Sequence, residues 1–520
     1  MKDLELYKKL LRNVVLPMKI LLTTLNSKYI HSNLAIKYLY SAAFESRSFI
    51  DLKEFSINQS DDYIYTEILR GRYDMVCFSC YIWNIERILY LAENIKKSNW
   101  RIKIVLGGPE VSFDTDSFLS AHDFIDIIIA GEGERPFRRL VETFSNENLE
   151  LEKIKGITYK KSGAVYVNQN EDILPPEDIP FPYEKLPVED DKIVYYESSR
   201  GCPFRCSFCL SSVEKSIREI PIDRVKSELD YFLYKCVKQV KFIDRTFNFN
   251  KNRALEIIKY IVKNDNGVTN FHFEMCPELL DEETIFAMRN ARTNLFQLEI
   301  GIQSTNKTAL NACNRVSDFD KYKGKISEIV RSGKINTHLD LIAGLPFDDY
   351  TSFKASFNDA YSIRPSQLQL GFLKLIKGTK IRAEAEEYRY IYRDKPPYEV
   401  ISNIFVSSMD IVKLKMIENV LDLYYNKGGF SDSLAYCTDY LYDNPFEFYE
   451  EFSSFFYLKG YQNKSQSKEN LYRIFWNFGY WKDRQSPDAG EKLETKLKWD
   501  MNTTLNKEAI KNFERKGWEI

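Results

Sequence analysis

The chain has 520 residues, 44% hydrophobic and 28% charged, and its 73 Lys and Arg against 75 Asp and Glu give a formal charge of −2. This is the composition of a folded chain of about three domains, and it argues against disorder and against bulk electrostatic capture of nucleic acid or an anionic membrane. No apolar run reaches the roughly 20 residues a membrane helix needs, and nine scattered cysteines are not a disulfide framework, so the expected compartment is the reducing cytoplasm.

Residues 1–17 read as a short amphipathic extension. From 18 to 150, strand-like apolar runs alternate with helical patterns. Strands are expected at 19–25, 50–57, 74–80, 102–108 and 124–131, with helical stretches such as 33–45 and 84–98 between them. Continuous apolar strands separated by helices predict an α/β, doubly wound (Rossmann-like) domain whose parallel sheet is covered on both faces. Its ligand belongs at the carboxyl ends of the strands, near the switch point. No G-x-G-x-x-G follows the first strand, which argues against a dinucleotide.

Residues 151–190 read as a small β extension and a linker. Pro175, Pro176, Pro180, Pro182 and Pro187 exclude helix and central strand there. From 191 to 385 the alternation resumes, with strands expected at 193–198, 240–244, 271–275, 295–303, 335–344 and 367–375. Six βα units predict a partial (β/α)6 barrel. Residues 386–520 are aromatic, charged and mostly helical in pattern, and Tyr424, Tyr425 and Phe430 are expected in its core because aromatics dominate burial.

The chemistry concentrates in SSRGCPFRCSFCLSS at 198–212. Cys202, Cys206 and Cys209 form a C-x3-C-x2-C loop directly after a predicted strand. A cubane iron–sulfur cluster usually takes four thiolates. Three on one loop, with no fourth nearby, leave one iron open to a small chelating ligand. A structural zinc site prefers four closed ligands, commonly in C-x2-C pairs, and no His lies within sixty residues of Cys209. Three unrelated core cysteines are the remaining reading. Cys236, Cys276, Cys313 and Cys437 show no paired metal spacing and, with Cys77, read as ordinary thiols, which argues against a second cluster and a methylthiotransferase.

The loop, with Phe208 just before its third cysteine, resembles the signature of the radical S-adenosylmethionine (SAM) superfamily, over residues 193 to about 385. The resemblance implies a [4Fe-4S] cluster on Cys202, Cys206 and Cys209, with SAM chelating the open iron and cleaved by one electron to a 5′-deoxyadenosyl radical. It also implies a SAM site built from Phe208, from Asp244 in IDRTFN (with Thr246 and Asn248), from Glu299 and Gln303 in LEIGIQS, and from Asp340 in DLIAGLP. Period two places Glu299, Gly301 and Gln303 on one strand face, opposite Leu298, Ile300 and Ile302.

The N-terminal half resembles a cobalamin-binding domain. The features that carry it are Ser79, Cys80 and Tyr81 after the third strand and Gly107, Gly108 and Pro109 after the fourth. Small residues there let a flat corrinoid approach the backbone. Domains of this class that give cobalt a histidine carry D-x-H-x-x-G. Here the loop reads YIHSNLA, so Tyr29 stands for the Asp and Leu34 for the Gly. His31 falls in the right loop but lacks the carboxylate that would orient it as a ligand, so it reads first as a packing or hydrogen-bonding residue and cobalt is expected to have no protein ligand. In GEGE at 131–134, Glu132 or Glu134 is expected to cap the following helix. The C-terminal region is similar to an accessory region of uncharacterised function (DUF4080-like).

Together these resemblances imply a cobalamin-dependent radical SAM enzyme that uses a [4Fe-4S] cluster, SAM and cobalamin. The activity they imply is methyl transfer to an unactivated carbon or to phosphorus, fed by an electron donor such as flavodoxin or ferredoxin under anaerobic conditions. Cyclisation or ring rearrangement without methylation is the alternative within the same chemistry. A corrinoid or redox sensor is the alternative outside catalysis. The substrate, a small molecule or a peptide, is not legible.

Overall fold

The computed structural model describes residues 18–45, 49–145, 150–214, 216–483 and 489–518. The expected extension at 1–17 lies outside the described residues. The chain divides into two compact units. One takes Met1–Gly201, Ser216–Ile243 and Lys395–Pro397, and the other Cys202–Lys215, Asp244–Asp394 and Tyr398–Ile520.

The first unit holds a seven-stranded sheet of β1 (Lys19–Asn26), β2 (Phe49–Ser56), β3 (Met75–Ser79), β4 (Lys103–Gly107), β5 (Ile127–Ile129), β6 (Ile157–Lys161) and β7 (Ala164–Val167), in the order β2-β1-β3-β4-β5-β6-β7. The pairings from β2 to β5 are parallel, and β6 and β7 add antiparallel at the edge. The winding reverses between β1 and β3, so the loops that follow these strands flank the switch point. The inner strands β1, β3, β4 and β5 are buried on both faces. Leu21, Val76, Ile104 and Ile128 pack with helices Asp61–Arg70 and Ile85–Ser98. Ile20, Met75, Val105 and Ile127 pack on the other face with helices Leu34–Ala42 and Glu134–Ser145. The fifth strand is shorter than the apolar run at 124–131. Asp126 ends the run's regularity because its carboxylate accepts from Ile104 N (2.8 Å) and pairs with Lys96 (2.6 Å) and Lys103 (3.1 Å).

The same unit contains the first strands of the second repeat. β8 (Val194–Tyr196) leads to a two-residue ladder of β9 (Ser199–Arg200) with β10 (Arg218–Glu219), and β11 (Gln239–Phe242) pairs parallel with β8. The proline-rich linker is anchored by aromatic packing, with Phe181 edge-on to Tyr196, Tyr231 and Phe232.

In the second unit, β12 (Asn270–Met275), β13 (Phe296–Gln303), β14 (Asn336–Ala343) and β15 (Gln367–Phe372) lie parallel in chain order. Burial alternates strictly along β13, the period-two reading of that segment. Residues beyond 386 begin with a short hairpin of β16 (Ile391–Tyr392) and β17 (Val400–Ser402) and continue as helices. Tyr424, Phe430, Phe448, Phe452, Phe475 and Phe478 are fully buried there, and Tyr425 is half-buried.

A buried ionic clasp closes the first unit. Arg200 donates to Glu132 (3.0 Å), Glu134 (3.0 Å) and Glu197 (2.8 Å). Arg218 donates to Glu132 (2.6 Å) and to Leu174 O, and Leu174 N donates to Glu132 (2.8 Å). This corrects the capping role expected for Glu132. Its carboxylate turns to two guanidinium groups, while Glu134 sits in the first helical turn. Burial works to raise the Glu132 carboxyl, but Arg218, Arg200 and the Leu174 N–H outweigh it and hold it below the usual range. A depressed carboxyl stabilises the fold above its unfolded pKa and loses that contribution as pH falls through its folded value. Glu132→Gln is therefore expected to lose about 3 kcal/mol at pH 7 in chemical denaturation, with the gap to the parent closing in acid.

Candidate functional site

The three-cysteine loop begins after Gly201, whose φ is +100° and where a Cβ would fall 2.0 Å from Ser216 O. Only glycine fits there. Cys202 and Cys206 are buried and Cys209 is half-buried. The loop is tightened by Cys209 N donating to Cys206 O (3.1 Å). It is pinned to its own unit at Ser207, which donates from its backbone to Cys313 O (2.9 Å) and accepts from Ile381 N (2.9 Å). Cys202 Sγ lies 3.5 Å from Thr246 Oγ1. Phe208 packs against the apolar cluster of Leu345, Leu373, Leu375 and Ile381, so its ring also fixes the loop.

Arg315, which no motif pointed to, is the cation of this site. Its Nη2 donates to Gly301 O (2.7 Å), Glu278 lies 3.6 Å away, and its Nε is buried with no hydrogen-bond acceptor among the described residues. Burial pushes the Cys206 thiol up, and the neighbouring Arg315 guanidinium opposes that shift. Cys276 Sγ in turn lies 2.8 Å from Glu278 Oε2. A lone Arg carries no signal in a sequence. Its meaning comes from the fold bringing it to the thiols.

The residues expected on the strand ends fall as follows. Glu299, Gly301 and Gln303 share the half-buried face of β13. The pairing slips between Gly301 and Gln303, and Gln303 has φ +70°, an uncommon conformation for a residue with a side chain. A Cβ at Gly301 would lie 2.1 Å from Gln303 Nε2, so the glycine makes room for the Gln303 amide to fold back. Asp340 is in register with Gly301. Glu299 Oε2 is 3.2 Å from His272 Nε2, a partner the sequence did not suggest. Asp244 is buried, and Asn248 and Cys276 exchange two hydrogen bonds that tie the loop after residue 244 to the end of β12.

Among the described residues, no three His, Cys, Asp or Glu side chains converge on one ion position. Three loop thiols beside a buried guanidinium fit a cluster with an anionic ligand.

At the switch point of the first unit, Ser79 O accepts from Thr24 Oγ1 (3.0 Å) and Asn84 Nδ2 (3.2 Å), and Cys80 N donates to Gly107 O (2.7 Å). Tyr81 stacks on Trp83 at 4.5 Å and 5°. Trp83 is 44% exposed and donates to Leu25 O, so the pair forms a flat aromatic face. Tyr81 is expected in this turn for backbone access, and Trp83 is not expected there at all. His31 Nδ1 is 2.6 Å from Tyr195 OH. The orienting partner absent from the YIHSNLA loop is thus a phenol from β8. Burial lowers the His31 pKa, aided by Lys28 and Lys241. At Gly107 a Cβ would meet only Ile129, at 3.6 Å and beyond, and at Gly131 nothing within 4 Å. Neither position is closed by a clash, so a side chain there would find space. Gly108, ahead of Pro109, differs. Its φ is +104° and a Cβ would lie 2.6 Å from Cys80 O, so the protein's own backbone uses the space. Gly108→Ala is expected to cost about 3 kcal/mol and to lower the melting temperature, whereas Gly107→Ala leaves it at the parent value.

Family models match this chain in three places: the B12 binding domain at residues 20–141, the radical SAM superfamily at 196–360 and the protein of unknown function DUF4080 at 386–518. The chain is a B12-binding radical SAM protein with a DUF4080 region. It is 27% identical over 303 residues to the cobalamin-dependent radical SAM methyltransferase TokK of Streptomyces tokunonensis, covering 54% of this chain and 44% of that one. It is 36% identical over 180 residues to an uncharacterized methyltransferase of Pyrococcus horikoshii, covering 32% and 38%. These matches span less than half the length of either relative. Among solved structures, the cobalamin-dependent SAM radical enzyme OxsB, with aqua-cobalamin and SAM bound, superposes with a TM-score of 0.63 at 16% identity over 97% of this chain and 84% of its own. The radical SAM methyltransferase TsrM of Kitasatospora setae gives 0.59 at 15% identity over 73% and 80%. At such identities the likeness shows the fold. In this B12-binding radical SAM protein the three-cysteine loop lies near the start of the radical SAM match, and the Tyr81–Trp83 face lies inside the B12-binding match.

Proposed function

We propose that this protein is a cobalamin-dependent radical SAM methyltransferase acting on an unactivated carbon or on phosphorus. The observation that carries the reading is the loop of Cys202, Cys206 and Cys209, held by Ser207 beside the buried Arg315. The three thiolates would hold a [4Fe-4S] cluster with one iron open, and the loops after β1, β3 and β4 would hold cobalamin. When bound, these groups supply one electron for reductive cleavage of SAM and a cobalt-borne methyl group, chemistry that protein side chains lack.

The chain's own residues then bind and orient. Arg315 offers a fixed, buried cation to a carboxylate, the strongest kind of hydrogen-bond partner for it. Gln303, held over Gly301, presents an amide suited to a sugar hydroxyl. Phe208, Asp244, Glu299 and Asp340 complete the SAM side of this reading. Tyr81, Trp83 and Gly107 face the corrinoid. His31 is held by Tyr195. An electron donor of flavodoxin or ferredoxin type in an anaerobic cytoplasm completes the scheme. No helix of the described residues is long and apolar enough to cross a membrane.

The test is anaerobic reconstitution with iron, sulfide and hydroxocobalamin. The parent is expected to form 5′-deoxyadenosine from SAM under dithionite, and the Cys202→Ala, Cys206→Ala, Cys209→Ala triple variant is expected to lose iron, sulfide and SAM cleavage together. Retention of all three in that variant would overturn the cluster assignment. Extracts of cells with and without the protein, compared by mass spectrometry, should show a metabolite or peptide heavier by one methyl group. A mass-neutral cyclised product instead would replace methylation by cyclisation.

A further inference from the structure

A cavity lies wholly within the DUF4080 region, a region that the methyl-transfer reading leaves without a role. Its volume is about 480 Å³, in the range of small-molecule sites. Lys427, Lys464 and Lys468 line it, and no carboxylate does. Leu423, Phe456 and Leu471 supply an apolar wall.

Lys468 is built into place. The Gly428–Gly429 turn, with φ +68° and +87°, passes so close that a Cβ at Gly429 would lie 2.9 Å from Lys468 Cε and 3.0 Å from its Nζ. The ammonium donates to Gly428 O and sits 4.7 Å from the centre of the Phe430 ring. Burial lowers its pKa, and the charge of Lys427 adds to that. Lys427 is itself paired with Asp422 at 2.8 Å, which lies outside the lining. Lys464 is exposed at the rim. Lys427 and Lys468 act on each other as like charges, Lys464 adds a third cation to the same lining, and an anion placed among them is favoured by all three. A mixed lining of ammonium groups and apolar side chains calls for a ligand with both characters.

We propose that this cavity of the DUF4080 region binds a phosphate monoester with an apolar body, its phosphoryl group among Lys427, Lys464 and Lys468 and its body on Leu423, Phe456 and Leu471. A dianion matches three ammonium groups better than a single carboxylate does. The proposal is independent of the methyl-transfer reading, because the site needs neither cluster nor corrinoid.

The probe is 4-nitrophenyl phosphate, titrated into the full-length protein by calorimetry at low salt. Binding is expected, weakening as salt rises. Lys464→Glu, a change at an exposed position that leaves folding intact, is expected to weaken it about tenfold, and Lys468→Met by at least as much. 4-Nitrobenzoate should bind more weakly and neutral 4-nitrophenol should not compete. The proposal is overturned if the phosphate ester does not bind at millimolar concentration, if Lys464→Glu binds it as the parent does, or if 4-nitrophenol displaces it.

Discussion

Three thiols close together in a largely buried loop are a demanding arrangement, because burial opposes the thiolate form that any iron or metal requires. The protein meets that demand with geometry and one cation. The loop is fixed through Ser207 to Cys313 O and Ile381 N, and Arg315 is brought beside Cys206 while bonded to Gly301 O. Gly301 in turn lies under Gln303. One guanidinium thus links the cysteine loop to the end of β13, the strand whose polar face is the most distinctive in the repeat.

Charge also organises the first unit. Glu132, Glu134 and Glu197 surround Arg200, and Arg218 shares Glu132. Such a network is a weak source of stability compared with an apolar core, since every ion has lost its water. Breaking it is costly all the same, because removing one member leaves the others buried and unmatched. Its effect is to fasten the loop after β5, the linker at Leu174 and the ladder of β9 with β10 to one another.

The switch point of the first unit rests on packing rather than charge. Buried bonds from Thr24 and Asn84 to Ser79 O define the switch point, and the stacked Tyr81 and Trp83 offer a flat surface where the parallel strands end. The two glycines after β4 divide the work. Gly107 leaves room, and Gly108 lets the Cys80 backbone pass. His31 has an orienting partner after all, supplied from β8 by Tyr195, a residue 164 positions away that no local motif includes.

What the sequence determined by itself is whatever depends on local pattern. Apolar runs alternating with helical periods specified the strand–helix order, the period-two face of Glu299, Gly301 and Gln303, and the aromatic core around Tyr424 and Phe430. The spacing of Cys202, Cys206 and Cys209 specified a three-thiol loop, because those residues lie within eight consecutive positions of the chain. Tertiary structure decided what depends on residues far apart. It turned Glu132 from a helix cap to Arg200 and Arg218, paired Glu299 with His272, set Arg315 beside Cys206, and gathered Lys427, Lys464 and Lys468 around one cavity. The physical reason is range. Hydrophobic period and cysteine spacing act over a few residues, whereas a buried charge takes whichever opposite charge or dipole the folded chain brings within hydrogen-bond distance, and only the fold fixes which that is.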